Sequence, residues 1–95
     1  MIAVYAIAQV KADKKNEFET VVKDLIKASK SDKGCISYNC GSVQGQENTY
    51  TFIEQWQSME DLQSHMKQLH FREAVEKLSA VTSQALDVNV MTLMD

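Results

Sequence analysis

Apolar and polar positions divide this chain into six segments. Met1–Val10 (MIAVYAIAQV) is apolar at nearly every position and partly β-branched, which predicts a strand buried on both faces. Asp13 is placed to cap a helix. After it Phe18, Val21, Val22, Leu25 and Ser29 recur at helical spacing, with Ile26 widening the stripe. Lys14, Lys15, Glu19, Lys23 and Lys27 fall mostly off that stripe. Ser31-Asp32-Lys33-Gly34 should end the helix, with Gly34 supplying the turn out. Cys35 to about Gln44 and Thr49–Gln57 read as two strands of a hairpin around Gly45-Gln46-Glu47-Asn48. In the second arm Tyr50, Phe52, Glu54 and Trp56 share one face, and Thr51, Ile53 and Gln55 the other.

Ser58 caps the next helix, with Asp61 at the position of a capping-box acid. Leu62, Met66 and Leu69 make its first apolar stripe; Phe71, Ala74, Val75, Leu78 and Ala85 make a second. Phe71 lies about 180° around the helix from Leu62 at 100° per residue, so the spacing predicts a break between Gln68 and Phe71. Leu86–Met94, mostly apolar, closes the chain as a strand. The order β-α-β-β-α-β defines an α+β, ferredoxin-like pattern: a four-stranded antiparallel sheet with the helices on one face. The first and last strands are apolar on both sides. The helices cover only one, so a second copy packed sheet against sheet is expected, giving a homodimeric α+β barrel.

Composition narrows the function. Ninety-five residues, 44% apolar and 24% charged, suit one globular domain over 1–95. The net charge of −3 argues against a nucleic-acid footprint. Seven lysines face five acids over residues 11–33, which reads as a solvated helix surface. No apolar run approaches the roughly 20 residues of a membrane span, and the N-terminus lacks a basic leader. Cys35 and Cys40, five apart on one strand, should point to opposite faces about 16 Å apart, too far for a disulfide. Two free thiols suit a reducing cytoplasm.

The candidate chemistry lies in FIEQWQSMEDLQSHMKQLHF, residues 52–71, which holds both histidines and the only tryptophan. His65 and His70 are about 140° apart around a helix, further separated by the break, and no HExxH is present, so no metal site is expected. His70 reads as a half-buried residue at the kink. His65 flanks the Leu62–Leu69 stripe and should face the sheet. If Glu54 is on the covered face, imidazole and carboxylate meet between Phe52 and Trp56. Such a pair can do acid–base work on an aromatic substrate, or can simply hold helix to sheet.

Residues 49–78, TYTFIEQWQSMEDLQSHMKQLHFREAVEKL, together with Gly34-Cys35-Ile36-Ser37-Tyr38, resemble the antibiotic biosynthesis monooxygenase (ABM) family, including its quinol monooxygenase-like members. The resemblance implies a dimeric α+β barrel that oxidises small phenols or quinols with O2, with no flavin, metal or other cofactor. It implies His65 as base or proton shuttle, oriented by Glu54, with Trp56 and Phe52 as pocket walls and Tyr38 as a substrate hydrogen-bonding group. Three rivals carry other implications. Haem-degrading relatives use an asparagine in the first strand, which MIAVYAIAQV lacks. An isomerase of a phosphorylated signalling molecule of the autoinducer-2 type fits the same His/Glu pair, with Lys23 or Lys27 toward the phosphate. A ligand-binding dimer without turnover is the non-enzymatic alternative.

Overall fold

The computed structural model describes residues 1–94. The strands are β1 (Ile2–Gln9), β2 (Cys35–Ser42), β3 (Thr49–Trp56) and β4 (Asp87–Thr92), and the helices α1 (Lys15–Ser29), α2 (Met59–Lys67) and α3 (Leu69–Val81). They form one antiparallel sheet in the order β2-β3-β1-β4 with the helices on one side, the ferredoxin-like α+β arrangement that the segment order implies. Ile2, Val4, Ala6 and Ala8 pair with Trp56, Glu54, Phe52 and Tyr50. Those residues face Phe18, Val22 and Leu25 of α1, Leu62 of α2, and Ala74, Leu78 and Val81 of α3 in one core.

Several local expectations change. Asp13 does not cap α1. It lies in a 3-10 turn, Ala12–Lys14, and the residue before α1 is Lys14, with no side-chain cap. Ser58 does cap α2, its Oγ accepting from Asp61 N at 3.2 Å. The break falls at Gln68, whose extended backbone (φ −66°, ψ 146°) separates α2 from α3. Leu69 is exposed at the start of α3, and Ala85 lies beyond its end. A β-bulge between Cys35 and Ser37 adds a residue to β2, so Cys35 stands opposite Trp56 and Cys40 opposite Phe52. Both cysteines therefore share the helix side rather than opposite faces, and both are free.

The outer face carries Tyr5, Ile53 and Met91, all exposed. On β4 it also carries Asp87 and Asn89, so that strand is not apolar on both sides. Val88 and Val90 point to the helix side yet stay 55% and 47% exposed, because no helix reaches over this edge strand. The covered layer is thus closed over β2 and β3 and open along β4.

Candidate active site

The open side leads into a cavity of about 120 Å³. Its walls include Phe52, Leu62, Phe71, Val75, Leu86 and Val88, and three polar side chains reach it: Tyr38, Glu54 and His65. Period-2 alternation left the side of Glu54 undecided; the register with Val4 and Tyr38 puts it on the covered face.

His65 is 1% exposed, boxed by the rings of Trp56 at 4.5 Å, Phe71 at 4.9 Å and Tyr38 at 5.5 Å between centroids. Its partner is not Glu54. His65 Nδ1 lies 2.7 Å from Asp32 Oδ2. A carboxylate only accepts, so Nδ1 carries the proton. In the neutral ring the other nitrogen, Nε2, then holds a free lone pair, and it is buried with no hydrogen-bond partner among the described residues. Burial pulls His65 below the ordinary histidine range, opposed by its bond to Asp32.

Asp32 reaches His65 through the exit turn of α1. Its N–H bonds Ser29 O at 3.0 Å, and its carbonyl accepts from Cys35 N at 3.1 Å. Gly34 makes the turn at φ +80°, where a Cβ would strike the Asp61 side chain. Helix α2 can therefore settle directly on the turn that holds Asp32.

His70 Nε2 lies 2.8 Å from the same Asp32 oxygen, and the two imidazole centroids are 6.1 Å apart. The expectation that the break drives the histidines apart is overturned. One extended residue at Gln68 re-aims α3, and its first turn swings His70 back over Asp32. A continuous helix would have left the two rings on different faces.

Glu54 bonds elsewhere than expected: Trp56 Nε1 donates to its Oε1 at 2.9 Å. Trp56 stands behind the acid and under His65 rather than lining the cavity, a correction to its expected role as a wall. Burial raises Glu54 above the ordinary carboxylate range, with the Trp56 bond pulling back. The Tyr38 phenol is also raised, by burial first and then by the charge of Glu54, so it stays a donor.

Asp32, His70 and Phe71 are the neighbours that sequence reasoning did not place in the site. Asp32 carried only a turn signal. No spacing rule links residues 32, 65 and 70, which three different elements bring together.

The chain is thus a small ferredoxin-like α+β protein with a buried imidazole, bonded to a carboxylate, beside an apolar cavity. The chain belongs to the antibiotic biosynthesis monooxygenase (ABM) family: a sequence model of that family matches residues 1–77. It is 31% identical over 88 residues to Bacillus subtilis (strain 168) "Putative monooxygenase YcnE", covering 93% of each chain. It is 30% identical over 94 residues to the uncharacterized protein sll1783 of Synechocystis sp., covering 99% of this chain but 64% of that longer one. A solved structure of a conserved protein from Methanosarcina mazei Go1 superposes with a TM-score of 0.92 at 30% identity, covering 95% of this chain and 89% of the other. The matched family and the Bacillus relative both carry monooxygenase in their names. No helix among the described residues is long and apolar enough to cross a membrane.

Proposed function

We propose that this protein is a cofactor-independent monooxygenase that oxidises a small phenolic or quinol ring with O2. The observation that carries the reading is His65 Nε2, buried, unpartnered, and left without a proton because Asp32 holds Nδ1–H. A bound phenol would give its proton to Nε2, and Asp32 would stabilise the imidazolium. The phenolate then passes one electron to O2. The ring radical and superoxide combine at a ring carbon bearing hydrogen, giving a hydroperoxide. Loss of water leaves a quinone: one oxygen atom in the product, the other in water, both electron pairs from the substrate.

The cavity supports that substrate class. Its volume is near the roughly 150 Å³ known to hold a benzene ring, and it opens along β4 toward anything larger. The Tyr38 hydroxyl is a donor for a second ring oxygen, and Phe52 and Phe71 are among the aromatic walls. No lysine or arginine lines it, which disfavours a phosphorylated ligand, because its charge would be buried without a partner. Lys23 and Lys27 sit on the exposed side of α1.

A homodimer belongs to this proposal. The exposed outer-face side chains Tyr5, Ile53 and Met91 suit a second sheet, and light scattering on the purified protein reports the mass directly.

Oxygen uptake by metal-stripped protein against a panel of quinols such as menadiol, beside folded His65→Gln, tests the reading. Wild-type turnover that the variant loses is the expected result. Uptake no faster than the quinols' own autoxidation across the panel overturns it and leaves a binding protein.

A further inference from the structure

The convergence of His65, His70 and Asp32 exceeds what an oriented base requires. One carboxylate is enough to lock the His65 tautomer; here a second imidazole meets the same oxygen. The three ligand-type atoms all lie within 4.8 Å of one another. The geometry points to a divalent transition-metal site at Asp32, His65 and His70, and to its use as an off switch for the His65 base.

The donor set is two imidazoles and one carboxylate, the borderline ligands that zinc-like ions favour over magnesium or calcium. Zinc bonds of about 2.0–2.2 Å in a tetrahedral site put donor atoms a little over 3 Å apart. The present N···O separations of 2.7 and 2.8 Å then need to open by roughly half an ångström, while the two imidazole nitrogens, within 4.8 Å of each other, draw together by up to about 1.4 Å. Asp32 sits in a turn rather than inside a helix, which permits that retreat. His70 is 31% exposed on its side chain and offers an entry path from solvent, while His65 closes the buried end.

The switch follows from tautomer chemistry, and it rests on the reading of His65 as base. A metal at Nδ1 takes the lone pair there, so the single proton of the neutral ring must reside on Nε2. The nitrogen facing the substrate changes from acceptor to donor. No proton is gained or lost by His65, yet it can no longer remove one from a phenol. Of the three ligands only His65 is among the residues lining the cavity, so metal held by Asp32 and His70 would reach it through that imidazole.

Titration of metal-stripped protein with Zn²⁺ against a chromophoric chelator decides the site. The expected result is one Zn²⁺ per chain, at least about tenfold weaker binding in both His70→Ala and His70→Asn, and no loss in the Cys35→Ser/Cys40→Ser double variant. Co²⁺ in place of zinc should give the visible absorption of a tetrahedral nitrogen–oxygen site without a thiolate charge-transfer band. Unchanged zinc affinity in the folded His70 variants, or loss of binding in the cysteine variant, overturns the site. For the switch, Zn²⁺ should lower kcat of wild type at unchanged KM, reversibly with chelator, and should need at least about tenfold more metal in His70→Ala. Stoichiometric zinc with undiminished turnover overturns the switch and leaves the site standing. A metal-free enzyme with no turnover overturns the base reading and the switch with it, while the binding titration still decides the site.

Discussion

Two halves of the covered sheet face use similar residues and end differently. Under α1, Phe18 packs on Tyr50 at 4.6 Å and edge-on to Phe52 at 6.2 Å, and the layer is closed. At its rim Tyr50 Oη donates to Glu19 at 2.5 Å, though Ser29 Oγ, buried on the same helix, has no partner among the described residues. Under α2 and α3, rings also meet, yet a cavity remains and His65 Nε2 has no partner among the described residues. The difference lies in what each edge supplies. Strand β2 brings Tyr38 beneath a helix, whereas β4 brings only Val88 and Val90 with no helix above them. Packing that fills one half with large rings leaves room in the other, and His65 lines the part of the core that is unfilled.

This contrast can be broken at graded cost. Phe18→Ala in the closed half should destabilise the protein by about 3–5 kcal/mol, read from the urea midpoint, because a fully buried ring leaves a hole that cannot collapse. His65→Gln in the open half should behave in the opposite way. Turnover should fall by about 10²–10⁴ while the urea midpoint moves little, the signature of a lost general base rather than a lost core residue. A comparable fall in stability would place His65 with Phe18 instead.

Asp32→Asn should be milder, lowering kcat by about tenfold or more with KM held, because the amide no longer stabilises an imidazolium as a carboxylate does. A change confined to KM would show that Asp32 shapes the cavity rather than the base.

Glu54→Gln should change stability in a pH-dependent way. Burial raises the folded-state value of Glu54 above its ordinary 4.5, so between the two values the folded protein binds more protons than the unfolded chain. Stability therefore falls as pH climbs through that window. Glutamine removes the fall, so the variant's Tm should gain on wild type from about pH 4.5 upward, across a pH series of melts. A gain that shrinks with rising pH would mean that Glu54 is stabilised as the charged form. Val88→Ala, at the open mouth, should be the smallest effect: about 0.5 kcal/mol or less, with any change appearing in KM.

How much was legible beforehand follows the range of the interactions. Helical and strand periods are local, so the element order, the break near Gln68 and the shared face of Phe52, Glu54 and Trp56 could be read from neighbours in the chain. Asp13 misled because a 3-10 turn satisfies the same backbone groups that a cap would. Cys35 and Cys40 misled because a bulge costs one residue and flips parity, and no residue type announces it. The partner of His65 could not be read at all: the candidate was Glu54, nearby in sequence, while the actual hydrogen-bond partner, Asp32, lies 33 residues away.

The sequence by itself determined the ferredoxin-like order and the presence of one histidine aimed at the sheet, because these rest on spacing within single elements, and it pointed to the family through the resemblance of its motifs. Only the tertiary structure decided which nitrogen of that histidine is free. That depends on a helix-exit turn, a glycine at positive φ against Asp61, and one extended residue between two helices bringing two imidazoles to a single Asp32 oxygen. Contacts of that kind are set by how elements dock, and docking has no period in the chain.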